Sequence, residues 1–217
     1  MRTIKEPEIR KGEILDAAEK LFATKGYEAA TVNDILDVVQ IAKGTFYYHF
    51  KSKEDVLDGI VKRQIDAGLE KAQAIAADPR LSIEEKLLSV ILAQKPQEPV
   101  QEEILPVLHE PANALLHQKI ISEYVIRLSP ILAKIVQEGI TQKIFNTPYP
   151  QEITEIILTA GLVIFDAAYF QWTQEEQAQR ISAFVYTMEC LTGAKQGSLM
   201  QLSRMFSKDT EKINQLG

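Results

Sequence analysis

Residues 31–53 are punctuated so closely that only short helices fit between the breaks. Thr31 opens a helix whose Asp34, three residues on, completes a capping box, with Val32, Ile35, Leu36 and Val39 on its buried face. A turn follows near Gln40, then a short helix over about 42–49. Ser52 with Asp55 supplies another capping box, opening a long helix that runs to about Ala77 before Asp78-Pro79 ends it. Phe46 and Phe50 are spaced to pack inward, which turns Lys43 and Tyr47, and Gly44 and Tyr48, outward. Ahead of them an amphipathic helix over 8–25 carries Ile14, Ala18, Leu21 and Phe22 at helical spacing, and Gly26 stands where a left-handed cap belongs. Two short helices joined by a tight turn, after a longer supporting helix, make a helix-turn-helix arrangement.

Charge placement says what such a frame could meet. The 217-residue chain has a formal net charge of -6, and over residues 1–77 twelve Lys or Arg face thirteen Asp or Glu. Such a chain does not coat nucleic acid indiscriminately. Yet Gln40–Lys53 holds three lysines, no acid and a run of aromatic side chains. Screening beyond about 10 Å lets that patch act alone. The third helix of a helix-turn-helix lies in the major groove with its N-terminal residues at base edges. There Lys43 can donate to guanine or phosphate, and Thr45 can bond a base or touch a thymine methyl. Thr31 and Lys53 stand at helix starts, where free amides and the helix dipole favour a phosphate.

The stretches Ala17–Tyr27 (AAEKLFATKGY), Thr31–Ile35 (TVNDI) and Lys43–Glu54 (KGTFYYHFKSKE) together resemble the DNA-binding domain of the tetracycline-repressor (TetR) family, over roughly residues 8–60. The resemblance implies that Thr31, Lys43, Gly44, Thr45, Tyr47, Tyr48, His49 and Lys53 occupy DNA-contacting positions. Two residues depart from the family pattern. Gln40 replaces the usual turn glycine and is expected to take a positive φ at some steric cost. Ala42 replaces the usual Ser or Thr and forfeits a helix cap worth about 1 kcal/mol.

From Ser82 onward the sequence is helical without a local signature. Ser82 and Glu85 cap a helix to about Gln94, and Lys95-Pro96-Gln97-Glu98-Pro99 breaks it. A helix over 102–110 is kinked or shortened by Pro106. In the long segment 113–145, either Pro130 kinks one helix or Ser129 caps a new one. After a loop at 146–150 come helices over 151–171 and 174–192, then a final amphipathic helix over 198–216. The first of that pair is apolar over most of its circumference and is expected to be buried all round. By the family resemblance, these two helices form a dimeric four-helix bundle. Its interface would hold Ile157, Ala160, Ile164, Ala168, Ile181, Phe184, Val185 and Met188.

His109, His117, Tyr124, Arg127, Asp166, Tyr169 and Trp172 are candidates for lining an effector cavity. Asp166 would be costly to bury unpaired, so it calls for a ligand or a residue across a dimer interface. No metal site is expected, because Pro111 breaks the helix between His109 and His117. Cys190, the single cysteine, excludes an internal disulfide and reads as a small buried hydrophobe. With no signal-peptide pattern at the start and no apolar run able to span a bilayer, the cytoplasm is the expected setting and no membrane the expected partner.

The expectation is therefore an all-α homodimer. A three-helix helix-turn-helix domain (1–52) and a connecting helix (53–77) precede a larger helical ligand-binding and dimerisation domain (78–217). As a transcriptional regulator it would bind a palindromic operator in double-stranded DNA and be released by a small-molecule effector. No glycine-rich phosphate loop, nucleophile elbow or paired-cysteine motif is present, so neither enzyme activity nor a cofactor is expected. The alternative is a helical ligand-binding or protein-interaction module with a degenerate DNA-binding head.

Overall fold

The computed structural model describes residues 6–94, 104–167 and 169–203, and among them every regular element is helical. The α-helices are α1 (Pro7–Lys25), α2 (Val32–Val39), α3 (Lys43–His49), α4 (Lys53–Ala77), α5 (Ile83–Leu92), α6 (Leu105–Leu108), α7 (Ala114–Thr141), α8 (Pro150–Ile164) and α9 (Gln174–Thr192). They fall into two compact units, one of Met1–Ala67 with Pro96–His117, the other of Gly68–Lys95 with Gln118–Gly217. The division runs through α4 and α7, whereas the sequence suggests borders at the two ends of α4.

In the first unit α1 turns Ile14, Leu15, Ala17, Ala18 and Phe22 into the core, and α4 meets them with Val56, Leu57 and Ile60. The approach is close at Gly59, where an added Cβ would sit 2.9 Å from Leu15 Cδ2 and 3.1 Å from Phe50 Cε1. Outside that contact, Arg63 on α4 reaches two acids of α1, Asp16 at 2.6 Å and Glu19. Gly26 ends α1 with φ 82 and ψ 149, so it takes the positive φ expected of a cap but not the left-handed conformation. Leu105–Leu108 is all that remains helical of the expected 102–110 helix among the described residues, and Asn113 Nδ2 donates to the Val107 carbonyl at 2.8 Å.

In the second unit Ser82 and Glu85 form the expected capping box of α5. Buried Lys86 pairs with Glu138 of α7 at 2.6 Å. The question at Pro130 is settled by α7, which runs unbroken through it. Ser129 does not start a new helix; its Oγ accepts a hydrogen bond from Gln151 Nε2 at 3.0 Å. By contrast α8 stops at Ile164, well before the expected 171, because the Ile164 carbonyl takes the Trp172 indole N–H at 2.9 Å as the chain turns back. A capping box of Thr173 and Glu176 then opens α9, which has the expected bounds. Buried Glu189 of α9 accepts from the amides of Gly197 and Leu199, both at 2.9 Å, and so folds the chain after α9 into a 3-10 turn, Met200–Leu202. The expected last helix lies mostly outside the described residues.

Glycine geometry gives a direct check. Gly12, with nothing within 4 Å of an added Cβ, should gain about 0.5–1 kcal/mol of stability on Gly12→Ala. Gly59→Val, overpacking the α1–α4 contact, should lose about 1–3 kcal/mol, both read by urea denaturation.

Candidate nucleic-acid interface

The interface is built on a network around Asp34. Thr31 stands in extended conformation at the start of α2 and accepts from the Asp34 amide at 3.2 Å. The Asp34 carboxylate accepts in return from the Thr31 amide and hydroxyl, each at 2.7 Å. It also accepts from Lys25 Nζ at 2.7 Å, which ties the end of α1 to the start of α2. Lys25 first, and then Thr31, hold the Asp34 pKa down at about 2.

Gln40 ends α2 in the left-handed conformation, φ 57 and ψ 49, as its place in the turn required. Its side chain covers part of the cost by donating to the Asp37 carbonyl. Ala42 then stands at the N-cap of α3 with no side-chain hydrogen bond, the forfeited cap. Nevertheless α3 forms from Lys43 to His49, because Phe46 is fully buried and Phe50 beside it is 3% exposed. The outward face follows from that anchoring. Lys43 and Gly44 are exposed, Tyr47 is 47% and Tyr48 76% exposed, and Thr45 and His49 are half-buried at the edges. Lys43 Nζ lies 5.9 Å from the Tyr47 ring centre and the Tyr48 and His49 rings meet edge to face at 4.9 Å. Burial, with Lys11 and Arg10 adding to it against Glu8, lowers the His49 pKa and favours the neutral imidazole.

At the start of α4, Ser52 Oγ accepts from the Asp55 amide at 3.2 Å, but the Asp55 carboxylate reaches the Lys51 amide at 2.8 Å instead of closing the expected box. Lys53 is more committed than its position in the sequence suggests. Its Nζ donates to the Tyr27 carbonyl at 2.9 Å and sits 4.2 Å from the Tyr27 ring centre. It therefore fastens α4 to the loop after α1. Tyr27 itself is buried, which more than the nearby acids Glu54, Glu28 and Glu110 pushes its pKa up to about 12. The Lys25–Asp34 and Lys53–Tyr27 links join residues nine and 26 positions apart, and no local pattern marks them.

The effector candidates fall in both units. In the first unit the His109 and His117 rings lie 5.2 Å apart, so the break at Pro111 does not separate them. In the second unit Tyr124 is half-buried, with its pKa raised by burial, and Arg127 approaches Glu123 at 3.4 Å along α7. Half-buried Asp166 accepts the amides of Tyr169 and Phe170 on its carbonyl, both at 3.1 Å. Trp172 stacks on Phe170 at 5.0 Å and meets Arg180, whose guanidinium carbon lies 3.3 Å from the ring centre. None of the seven lines the apolar cavity of about 210 Å³ that the second unit holds among Leu87, Leu132, Leu158, Phe184, Met188 and Leu202. The sequence reading places Phe184 and Met188 at the dimer interface and assigns none of these residues to a cavity.

The dimer face needs correcting in the same region. Ile181, Val185 and Met188 are already buried within the chain itself. Ile157 and Phe184 line the cavity, Ile164 is half-buried, Ala160 is exposed and Ala168 lies outside the described residues. Nor is α8 buried all round, since Ile156 is 59% exposed. Cys190 is exposed on α9, not buried, and its thiol raises the pKa of Tyr186 one turn away.

Comparison with known proteins agrees with this architecture. Residues 14–60 match the family model of bacterial regulatory proteins of the tetR family, and residues 99–187 that of a tetracyclin repressor-like C-terminal domain. The chain is 41% identical over 78 residues to the HTH-type transcriptional repressor KstR2 of Rhodococcus jostii, covering 35% of this chain and 38% of that protein. It is 32% identical over 133 residues to the Transposon Tn10 TetC protein of Escherichia coli, covering 58% of this chain and 65% of that protein. The matches to KstR2 proteins span less than half of those relatives' own length. A TetR-family transcriptional regulator of Pectobacterium atrosepticum shares the fold, with a TM-score of 0.61 at 21% identity over 88% of this chain and 98% of that one. The class is a helix-turn-helix protein with a helical C-terminal domain. The chain belongs to the TetR family of bacterial regulatory proteins.

The Asp34 network makes a pH prediction. A carboxyl whose pKa is lower folded than unfolded adds stability above its ordinary value of 3.8, and that contribution disappears as pH falls towards 2. Asp34→Asn should lower the melting temperature by a constant amount between about pH 5 and 7. The gap to the wild type should close between about pH 4 and 2.

Proposed function

We propose that this chain is a sequence-specific DNA-binding transcriptional regulator. It acts as a homodimeric repressor on a palindromic operator and responds to a small-molecule effector. The observation that carries this reading is the outward face of α3, where Lys43, Gly44, Tyr47 and Tyr48 stand free of the core while Phe46 is fully buried beneath them. A face of that kind offers a cation, a close backbone approach and two hydroxyls to base edges and phosphates. Thr31, Thr45, His49 and Lys53 flank it. Lys53 contributes mainly by holding the start of α4 in place.

A two-fold dimer must set its two recognition helices about 34–36 Å apart to read successive major grooves on one side of the duplex. We assign the dimer face to the exposed apolar residues of α8 and α9, with Ile156, Ala160, Tyr186 and Leu191 in place of the buried Ile181, Val185 and Met188. α4 is the means of control, since its first half belongs to the first compact unit and its second half to the other. An effector that weakens operator binding must itself be bound more weakly, by the same factor, when the operator is present. The site of action is the cytoplasm, where the DNA is, and no helix of the described residues is long and apolar enough to cross a membrane. Gln40 and Ala42 give no support to a degenerate head, since the turn accommodates the first and α3 forms despite the second.

Selection from random double-stranded DNA should yield a palindrome, and recovery of no preferred sequence would contradict the proposal. On that palindrome Lys43→Ala and Tyr47→Ala should each weaken binding by about 5- to 150-fold while leaving the dimer intact in sedimentation. Lys43→Ala should also flatten the slope of log K against log salt by about 0.9, the loss of one phosphate contact.

A further inference from the structure

The apolar cavity of the second unit says what kind of molecule fits there. Among the described residues its walls come from α5, α7, α8, α9 and the 3-10 turn, and no charged side chain is among them. Two polar residues reach it, Thr154 and Thr192, and both hydroxyl hydrogens are already used. Thr154 Oγ1 donates to the Pro150 carbonyl at 2.6 Å and Thr192 Oγ1 to the Met188 carbonyl at 2.7 Å. What remains for a guest is hydrocarbon, the edge of the Phe184 ring, and the acceptor lone pairs of two hydroxyls. An anion would find no donor in it, and a buried charge without a partner costs far more than apolar contact returns.

Size points the same way. An engineered apolar cavity of about 150 Å³ stays dry and takes up benzene. At about 210 Å³ this one has room for a substituted single ring or a short branched alkyl group. Two features keep that space open. Gly161 puts only hydrogen where a Cβ would stand 3.0 Å from Phe184 Cζ, so the ring lies flush against α8. Glu189 holds the chain after α9 by two backbone amides, which sets Leu202 in the wall.

We propose that this cavity is a binding site for a small, uncharged, predominantly hydrocarbon molecule, bearing at most a hydroxyl able to donate to Thr154 or Thr192. A carboxylate or phosphate placed inside it would have no partner among the described residues. As the effector site it rests on the regulatory reading above; as a ligand site it stands without it.

The probes are toluene and benzoate, which differ by a carboxylate in place of a methyl. Each is titrated into the full chain while the melting temperature and the toluene proton resonances are followed. Toluene should bind one to one per chain and raise the melting temperature saturably, and benzoate should bind about 100-fold more weakly or not at all. Leu158→Trp, which fills the space from α8, should abolish toluene binding. Should that variant not fold, Ile91→Trp fills it from α5. No saturable toluene binding, equal binding of benzoate, or unchanged binding in a folded filled variant would each overturn the proposal. The two readings fail separately. Toluene binding by a chain that selects no DNA sequence leaves the site standing and removes the regulator, whereas DNA selection without toluene binding does the reverse.

Discussion

A helix of seven residues without a side-chain cap does not hold itself together in water, where isolated helices shorter than about 12–15 residues are marginal. α3 is such a helix, and its existence depends on the burial of Phe46. The ring lies in a core shared with Phe50, and an added atom at Gly59 would crowd both Phe50 and Leu15, so α1, α3 and α4 meet on one set of side chains. Everything the protein can offer to DNA follows from which side of α3 that core consumes. With Phe46 committed inward, helical geometry leaves Lys43, Gly44, Tyr47 and Tyr48 no place except outside.

The surroundings of α3 are held by polar links chosen for direction more than for strength. Lys25, Thr31 and Asp34 form a closed set that fixes the entry to α2. Lys53 fixes the entry to α4 through the Tyr27 carbonyl and ring. Exposed pairs of this kind add little to stability one by one. Their effect is to set the angle at which two helices leave their loops, and so the direction in which the face of α3 looks. The left-handed turn at Gln40 belongs to the same frame. A residue with a Cβ occupies a glycine position there, and a hydrogen bond to the Asp37 carbonyl offsets part of the cost.

The first unit was legible because its signals are local. The capping box at Thr31, the spacing of Phe46 and Phe50 and the turn at Gln40 each act within a few residues, and each is found where the spacing puts it, as is the box at Ser82 in the second unit. The failures lie where distant residues decide. α8 ends early because an indole eight residues further on takes its last carbonyl. At Pro130 local signals allow either one helix or two, and a single helix runs through it. Ile181, Val185 and Met188 have the periodicity of an interface, but periodicity gives a face without saying whether the same chain or a second copy covers it. Cys190 is small and apolar by type, yet it stands outside. The cavity could not be read at all, since it is the space left between helices and no local pattern encodes a space.

The central claim is that the side of α3 opposite Phe46 enters the DNA. Replacing Tyr47 with p-benzoylphenylalanine and irradiating the chain on its selected palindrome tests this at the residue itself. The account predicts covalent attachment to a base within the palindrome. The same photoprobe at Ile126, an exposed apolar position on α7, should leave the DNA unmodified. Attachment from Ile126 together with none from position 47 would show that another surface holds the DNA and would contradict the account.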